Sequence, residues 1–200
     1  MNIIQHSHIS ARKFGGRFED YLEIHRFLDS TKLYFHHVKH RAVLHNTFGV
    51  EFAVELFGDC VVNSDGKATS VRDVAIAHVR EDLSGKVPTL VDWFGGASEL
   101  ESIAPEVPSF LNEPLKEFVM RPFLRSGLRG TMFITMSDFG VELCEKVLGV
   151  DAASELRENL PARNLLQEAL RQFRFRERWQ YTPCQKELQW LAENLSLIHI

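Results

Sequence analysis

The amino-acid sequence predicts a mainly α protein: a helical domain with one small β-hairpin, followed by a second mostly helical region. Three observations carry this prediction. Apolar residues recur at three- and four-residue intervals along much of the chain, the spacing of a helical face. Short oxygen-bearing side chains precede several of those stretches and glycines follow them, as helix starts and stops require. Cys60-Val61-Val62 runs into Asn63-Ser64-Asp65-Gly66, and its Asp-Gly step accepts positive φ, which marks a hairpin.

Taken in order, residues 1–17 are polar and end in Phe14-Gly15-Gly16-Arg17, which predicts a loop. Tyr21, Leu22, Ile24, Phe27 and Leu28 predict a first helix over 19–28. Asp29-Ser30-Thr31 supplies a stop and caps, and a long helix over 31–57 is expected, with Gly49 inside it and Gly58 at its end. After the hairpin, Thr69 or Ser70 caps a helix over 71–83, and Pro88-Thr89 opens a short turn ending near Trp93. These make a histidine-rich helical domain over 1–94. Gly95-Gly96, Pro105 and Pro108 mark a linker over 95–110. Helical patterns follow at 112–126, 137–149 and 151–170, with a strand expected over 128–135, so that 111–194 reads as a second, truncated region. No repeat with a 20–50-residue period is present.

The composition excludes several classes. With 200 residues, 44% hydrophobic and 25% charged, the chain is neither disordered nor fibrous. A formal charge of −4 offers no global positive field for nucleic acid or an anionic membrane. Cys60, Cys144 and Cys184 are odd in number and show no CxxC spacing, which argues against a disulfide framework or zinc ribbon and suits a reducing cytoplasm. No apolar run approaches the roughly 20 residues of a membrane span. Residues 195–200, LSLIHI, read as the conceptual translation of a transposon-end sequencing adapter. They are expected to be an artefact and are set aside.

The chemical signal is histidine. Eight of the nine histidines fall within residues 1–78, and the ninth, His199, lies in the set-aside tail. On the expected long helix His37, Arg41 and His45 share one face, while His36 and His40 share its neighbour. His25 stands four residues before Asp29, and His78 four before Asp82. His25, Asp29, His40, His78 and Asp82 are the candidate ligands of a divalent zinc, iron or manganese ion held between helices. His40, His45, Arg41 and Lys32 are the candidate catalytic set. The imidazoles act there as acid/base groups, and Lys32 with Arg41 holds a small anionic substrate. His6 and His8, in the polar start, are left outside the site. Neither HExxH nor a contiguous His-Asp doublet is present. The competing class is a non-enzymatic module that binds a protein partner, its histidines forming a structural hydrogen-bond network.

The run YLEIHRFLDSTK, then KHRAVLHNTFGVE, LFG, NSDG, SVRDVAIAHVREDL and VPTLVDW resembles an uncharacterised domain family found in bacteria and their phages. The resemblance covers residues 1–94. The family's polar positions carry over to His25, Asp29, Ser30 and Lys32, to His40, Arg41 and His45, and to His78, Glu81 and Asp82. This chain has Lys39 where the pattern has arginine and Asn46 where a further histidine often follows. The resemblance implies a shared polar site and no particular activity.

The remaining motifs point elsewhere or nowhere. Arg171, Arg174 and Arg178 interleave with Phe173, Phe175 and Trp179, and Arg121, Arg125 and Arg129 form another row, yet snorkelling arginines on amphipathic helices look the same, and nucleic acid is not the expected partner. Ser137-Asp138-Phe139-Gly140 spells a kinase magnesium motif without the accompanying Gly-rich loop, and neither a P-loop nor a dinucleotide fingerprint occurs.

Overall fold

A computed structural model describes residues 1–35, 38–95, 104–107, 109 and 111–172. Among these the chain is mainly α with one two-stranded antiparallel hairpin, as the sequence predicts. His36, His37, His199, the arginine row from 171, and most of the linker and tail lie outside the described side chains.

The first departure comes at once. Residues 1–17 are not a loop: helix α1 spans Ile3–Phe14. Asn2 Oδ1 accepts from the Gln5 amide at 2.9 Å and the Gln5 side chain accepts from the Asn2 amide at 3.1 Å, a reciprocal capping box that starts the helix. A 3-10 turn, Phe18–Tyr21, leads into α2, Leu22–Asp29.

The expected long helix over 31–57 is broken. A 3-10 turn covers Ser30–Leu33, another Val38–His40, and two α-helices follow, α3 over Arg41–Leu44 and α4 over Thr47–Phe57. The break sits at His45, with ψ 63°, and at extended Asn46. Asn46 is buried and serves both sides: its Nδ2 donates to the carbonyls of Ala42 and Val43, and its Oδ1 accepts from the Gly49 amide at 3.0 Å. Thus a buried cap, not a continuous helix, joins the two pieces.

The hairpin pairs β1, Cys60–Val62, with β2, Ala68–Ser70, in register Cys60↔Ser70, and Gly66 takes φ 76° in its turn. Ser70 caps α5, Val71–Asp82, and Thr89 opens the short α6, Leu90–Phe94, by a capping box with Asp92. Helix α7 spans Glu113–Ser126. The strand expected over 128–135 is instead a 3-10 turn, Arg129–Phe133. Met132, Phe133 and Ile134 are all buried, so this apolar run has no exposed face whose period could separate strand from helix. Helices α8, Asp138–Leu148, and α9, Val150–Glu158, follow, and α10, Leu165–Gln172, is separate from α9 across a stretch containing Pro161.

One construction occurs twice. Asn46-Thr-Phe-Gly-Val-Glu and Ser137-Asp-Phe-Gly-Val-Glu each open an 11-residue helix, α4 and α8, that ends at a glycine. In both, the cap side chain takes the glycine amide, at 3.0 and 3.1 Å. Both glycines lie against the carbonyl five residues earlier, so close that an added Cβ would stand 1.9 Å from Leu44 O or Thr135 O.

Nearly all of the buried apolar side chains form one cluster running from Tyr21 to Leu170. Phe52 lies at its centre, with ring centroids 6.1 Å from Phe27, 5.6 Å from Phe48 and 6.2 Å from Phe118 of α7. No helix among the described residues is long and apolar enough to cross a membrane.

Candidate metal centre

Helices α2 and α5 pack together, each presenting a His and an Asp one turn apart. His25 and Asp29 come from α2, His78 and Asp82 from α5, and His45 enters from the bend between α3 and α4. All five are buried. One side-chain and one backbone hydrogen bond hold the bend. Trp93 Nε1 donates to His45 O at 3.1 Å, and the Thr47 amide donates to Pro88 O at 2.8 Å.

The pairing is crosswise rather than within each helix. His78 Nε2 lies 3.1 Å from His45 Nε2 and 3.8 Å from Asp29 Oδ1. His45 Nε2 also lies 3.6 Å from Asp29 Oδ1 and 3.2 Å from Asp82 Oδ2. One donor atom from each of Asp29, His45, His78 and Asp82 falls within 4.8 Å of every other. A tetrahedral ion with ligands ~2.0–2.1 Å away separates its donors by ~3.3–3.4 Å, a value the 3.1–3.8 Å contacts bracket. Asp29 Oδ1 is buried, faces these imidazole nitrogens and accepts no hydrogen bond. An unsatisfied buried carboxylate oxygen is costly, and a cation at this point removes the cost.

The other sequence-derived candidates surround this point. His25 Nδ1 lies 2.9 Å from His78 Nδ1, and His25 Nε2 lies 2.9 Å from Ser10 Oγ. His40 Nε2 is 4.0 Å from Asp29 Oδ1, beyond the four-residue donor set. Arg41 is turned to Asp82, with Nε and Nη2 each 3.1 Å from Oδ2. Lys32 is half-exposed and its Nζ stands 2.7 Å from Asp29 Oδ2. It also lines a surface cleft of about 720 Å³ that reaches Asp29 and includes Arg26, Phe27, Ser30 and Phe57.

His6, set aside in the sequence reading, belongs to the cluster. Its Nδ1 lies 2.6 Å from Glu81 Oε2 and its Nε2 3.3 Å from Asp82 Oδ1. The Asn2–Gln5 capping box and the four-residue step from His6 to Ser10 were the available signs of the helix that carries it. His8 stays outside, exposed, with its ring 4.6 Å from Phe18.

Burial sets the electrostatics. It pushes His25 down to about 3, with His6 adding to the effect, and lowers His45 against the pull of Asp82. His78 falls well below the imidazole range through burial and its histidine neighbours. Burial works to raise Asp82, but the hydrogen bonds from His45 and His6 and the charge of Arg41 outweigh it and hold the carboxyl far below its usual range. Burial also lowers His6, yet Asp82 and Glu81 together raise it above 6.5. Three neutral imidazoles beside an ionised carboxylate are the protonation states a transition metal requires of its ligands.

A family model described as a domain of unknown function, DUF6915, matches residues 1–102, just over half of the chain. The chain belongs to the DUF6915 family. Every residue of the cluster falls inside the DUF6915 segment. No curated protein and no solved structure matches the chain.

Proposed function

We propose that this DUF6915 protein binds a divalent transition metal at Asp29, His45, His78 and Asp82 and uses it to hydrolyse a small anionic substrate in the cytoplasm. The observation that supports the reading best is Asp29 Oδ1, a buried carboxylate oxygen with no hydrogen bond at the point where the imidazole nitrogens converge. The mixed nitrogen and oxygen donors suit zinc, iron or manganese. Such an ion, when bound, lowers the pKa of a water and polarises the bond to be broken. Lys32, between Asp29 and the cleft, neutralises the substrate's anionic group. Arg41 keeps Asp82 ionised. His40, with Nε2 4.0 Å from Asp29 Oδ1, accepts a proton from the attacking water, whose oxygen bonds to the electrophilic centre as the bond to the leaving group breaks, and returns that proton to the leaving group. Free Cys60 and Cys144 suit a reducing compartment.

The test is plasma mass spectrometry on the full chain purified without a histidine tag, alongside hydrolysis of bis-p-nitrophenyl phosphate. At least one equivalent of metal and a metal-dependent rate are expected, and Asp29→Asn, with the helical signal intact, is expected to lose one equivalent and the rate. A wild-type protein that stays metal-free after loading overturns the proposal. That outcome favours a structural network, for which the unbroken series Ser10, His25, His78, His45 and Asp82, with contacts of 2.9–3.2 Å, is the supporting observation.

A further inference from the structure

We propose a second cation site, formed by His6, His25 and His78, so that the DUF6915 cluster holds two transition-metal ions sharing His78 and Asp82. The proposal rests on the metal reading above and extends it from one ion to two. One donor atom from each of His6, His25 and His78 lies within 4.8 Å of the others, and all three side chains are buried.

The orientation of the rings carries the argument. His78 turns Nε2 to His45 at 3.1 Å and Nδ1 to His25 at 2.9 Å, one nitrogen for each donor set. Asp82 divides in the same way, with Oδ2 3.2 Å from His45 Nε2 and Oδ1 3.3 Å from His6 Nε2. The outward nitrogens of the other two rings are already held: His6 Nδ1 by Glu81 at 2.6 Å and His25 Nε2 by Ser10 at 2.9 Å. Metal-binding histidines are held in this way, by an oxygen on the nitrogen that does not ligate. His6 Nε2 is buried and aimed inward at Asp82 Oδ1, 3.3 Å away. A histidine that serves only to pack has no need of this pattern in two neighbouring rings. For His78 to ligate both ions, its ring gives up its N–H proton to solvent, so filling the second site releases a proton.

The experiment uses the full chain without a histidine tag, stripped with chelator, titrated with Co²⁺ and with Zn²⁺, dialysed and measured by plasma mass spectrometry, with circular dichroism for each variant. Wild type is expected to hold two equivalents, and His6→Ala and Asp29→Asn one each. Glu81→Gln, which alters only the group behind His6, is expected to weaken the second equivalent about 10- to 100-fold and leave the first unchanged. One equivalent in wild type that persists in His6→Ala and vanishes in Asp29→Asn overturns the second site and leaves the first standing. Two equivalents with Glu81→Gln indistinguishable from wild type also overturn it. No metal at all overturns both readings.

Discussion

Gly49→Ala is the substitution in which fold and site are most closely coupled. Inside a helix a glycine-to-alanine change ordinarily gains about 1 kcal/mol. Here the new Cβ would stand 1.9 Å from Leu44 O, and a contact under 3.0 Å forces a shift, so the backbone must retreat by at least 1.1 Å. Backbone on the far side cannot rotate away as a side chain can. Overpacking of this kind costs about 3 kcal/mol, leaving a net loss of about 2 kcal/mol after the propensity gain. In a chain of this size that lowers Tm by roughly 4–8 °C. The carbonyl that moves belongs to the peptide leading into His45, whose Nε2 contacts are 3.1, 3.2 and 3.6 Å. Displacement by about 1 Å exceeds the ±0.2 Å tolerance of a metal–ligand distance, so metal affinity should fall at least tenfold. Gly140→Ala is the control, because its Cβ meets Thr135 O at the same 1.9 Å with no candidate ligand beside it. Calorimetry and metal titration should give both variants a similar loss of Tm, and only Gly49→Ala a loss of affinity. A raised Tm in either variant, or metal binding by Gly49→Ala equal to that of Gly140→Ala, refutes the reasoning.

Three further outcomes are expected. Phe52→Ala, at the junction of the Phe27, Phe48 and Phe118 rings, should cost about 3–5 kcal/mol in denaturant unfolding, and a loss below about 1 kcal/mol would contradict its central place. Asp82→Asn, measured in chelator, should cost about 3–5 kcal/mol because it breaks a buried ion pair by removing the carboxylate charge 3.1 Å from the Arg41 guanidinium, and an unchanged midpoint would show that this pair carries no net stability. Burial, with Glu155 nearby, pushes the Cys144 thiol up to about 11, so the unfolded chain loses that proton from pH 9.0 while the folded chain keeps it. Stability should therefore fall by up to about 1.4 kcal/mol per pH unit between those values, and peptide mapping after iodoacetamide should find exposed Cys60 labelled and Cys144 labelled only in denaturant.

The site was more legible than the path of the chain that builds it. His25 with Asp29, and His78 with Asp82, stand one helical turn apart, so sequence spacing alone placed each pair on one face. What spacing does not contain is the angle between α2 and α5, which makes Asp29 answer to His45 and His78 rather than to His25. His6 escaped because a polar amphipathic helix has few apolar residues to betray its period, although its capping box was written in Asn2 and Gln5. The break at His45 escaped for a related reason. Apolar periodicity reports which faces are buried, and it passes unchanged through a bend whose cost is met by one buried asparagine, Asn46. Phe133 and Ile134 lie in a segment buried on every side, which leaves no apolar period to tell strand from helix.

Trp93 closes the bend by donating its indole N–H to the carbonyl of His45, and the ring is buried. That hydrogen bond also places a fluorophore directly behind a candidate ligand. Iron, cobalt or manganese, with partly filled d shells, would quench the indole emission on reaching His45, whereas d¹⁰ zinc would leave it bright. With Trp179 and Trp190 replaced by phenylalanine, the protein would carry its own optical gauge of whether the cluster is filled and by which kind of ion.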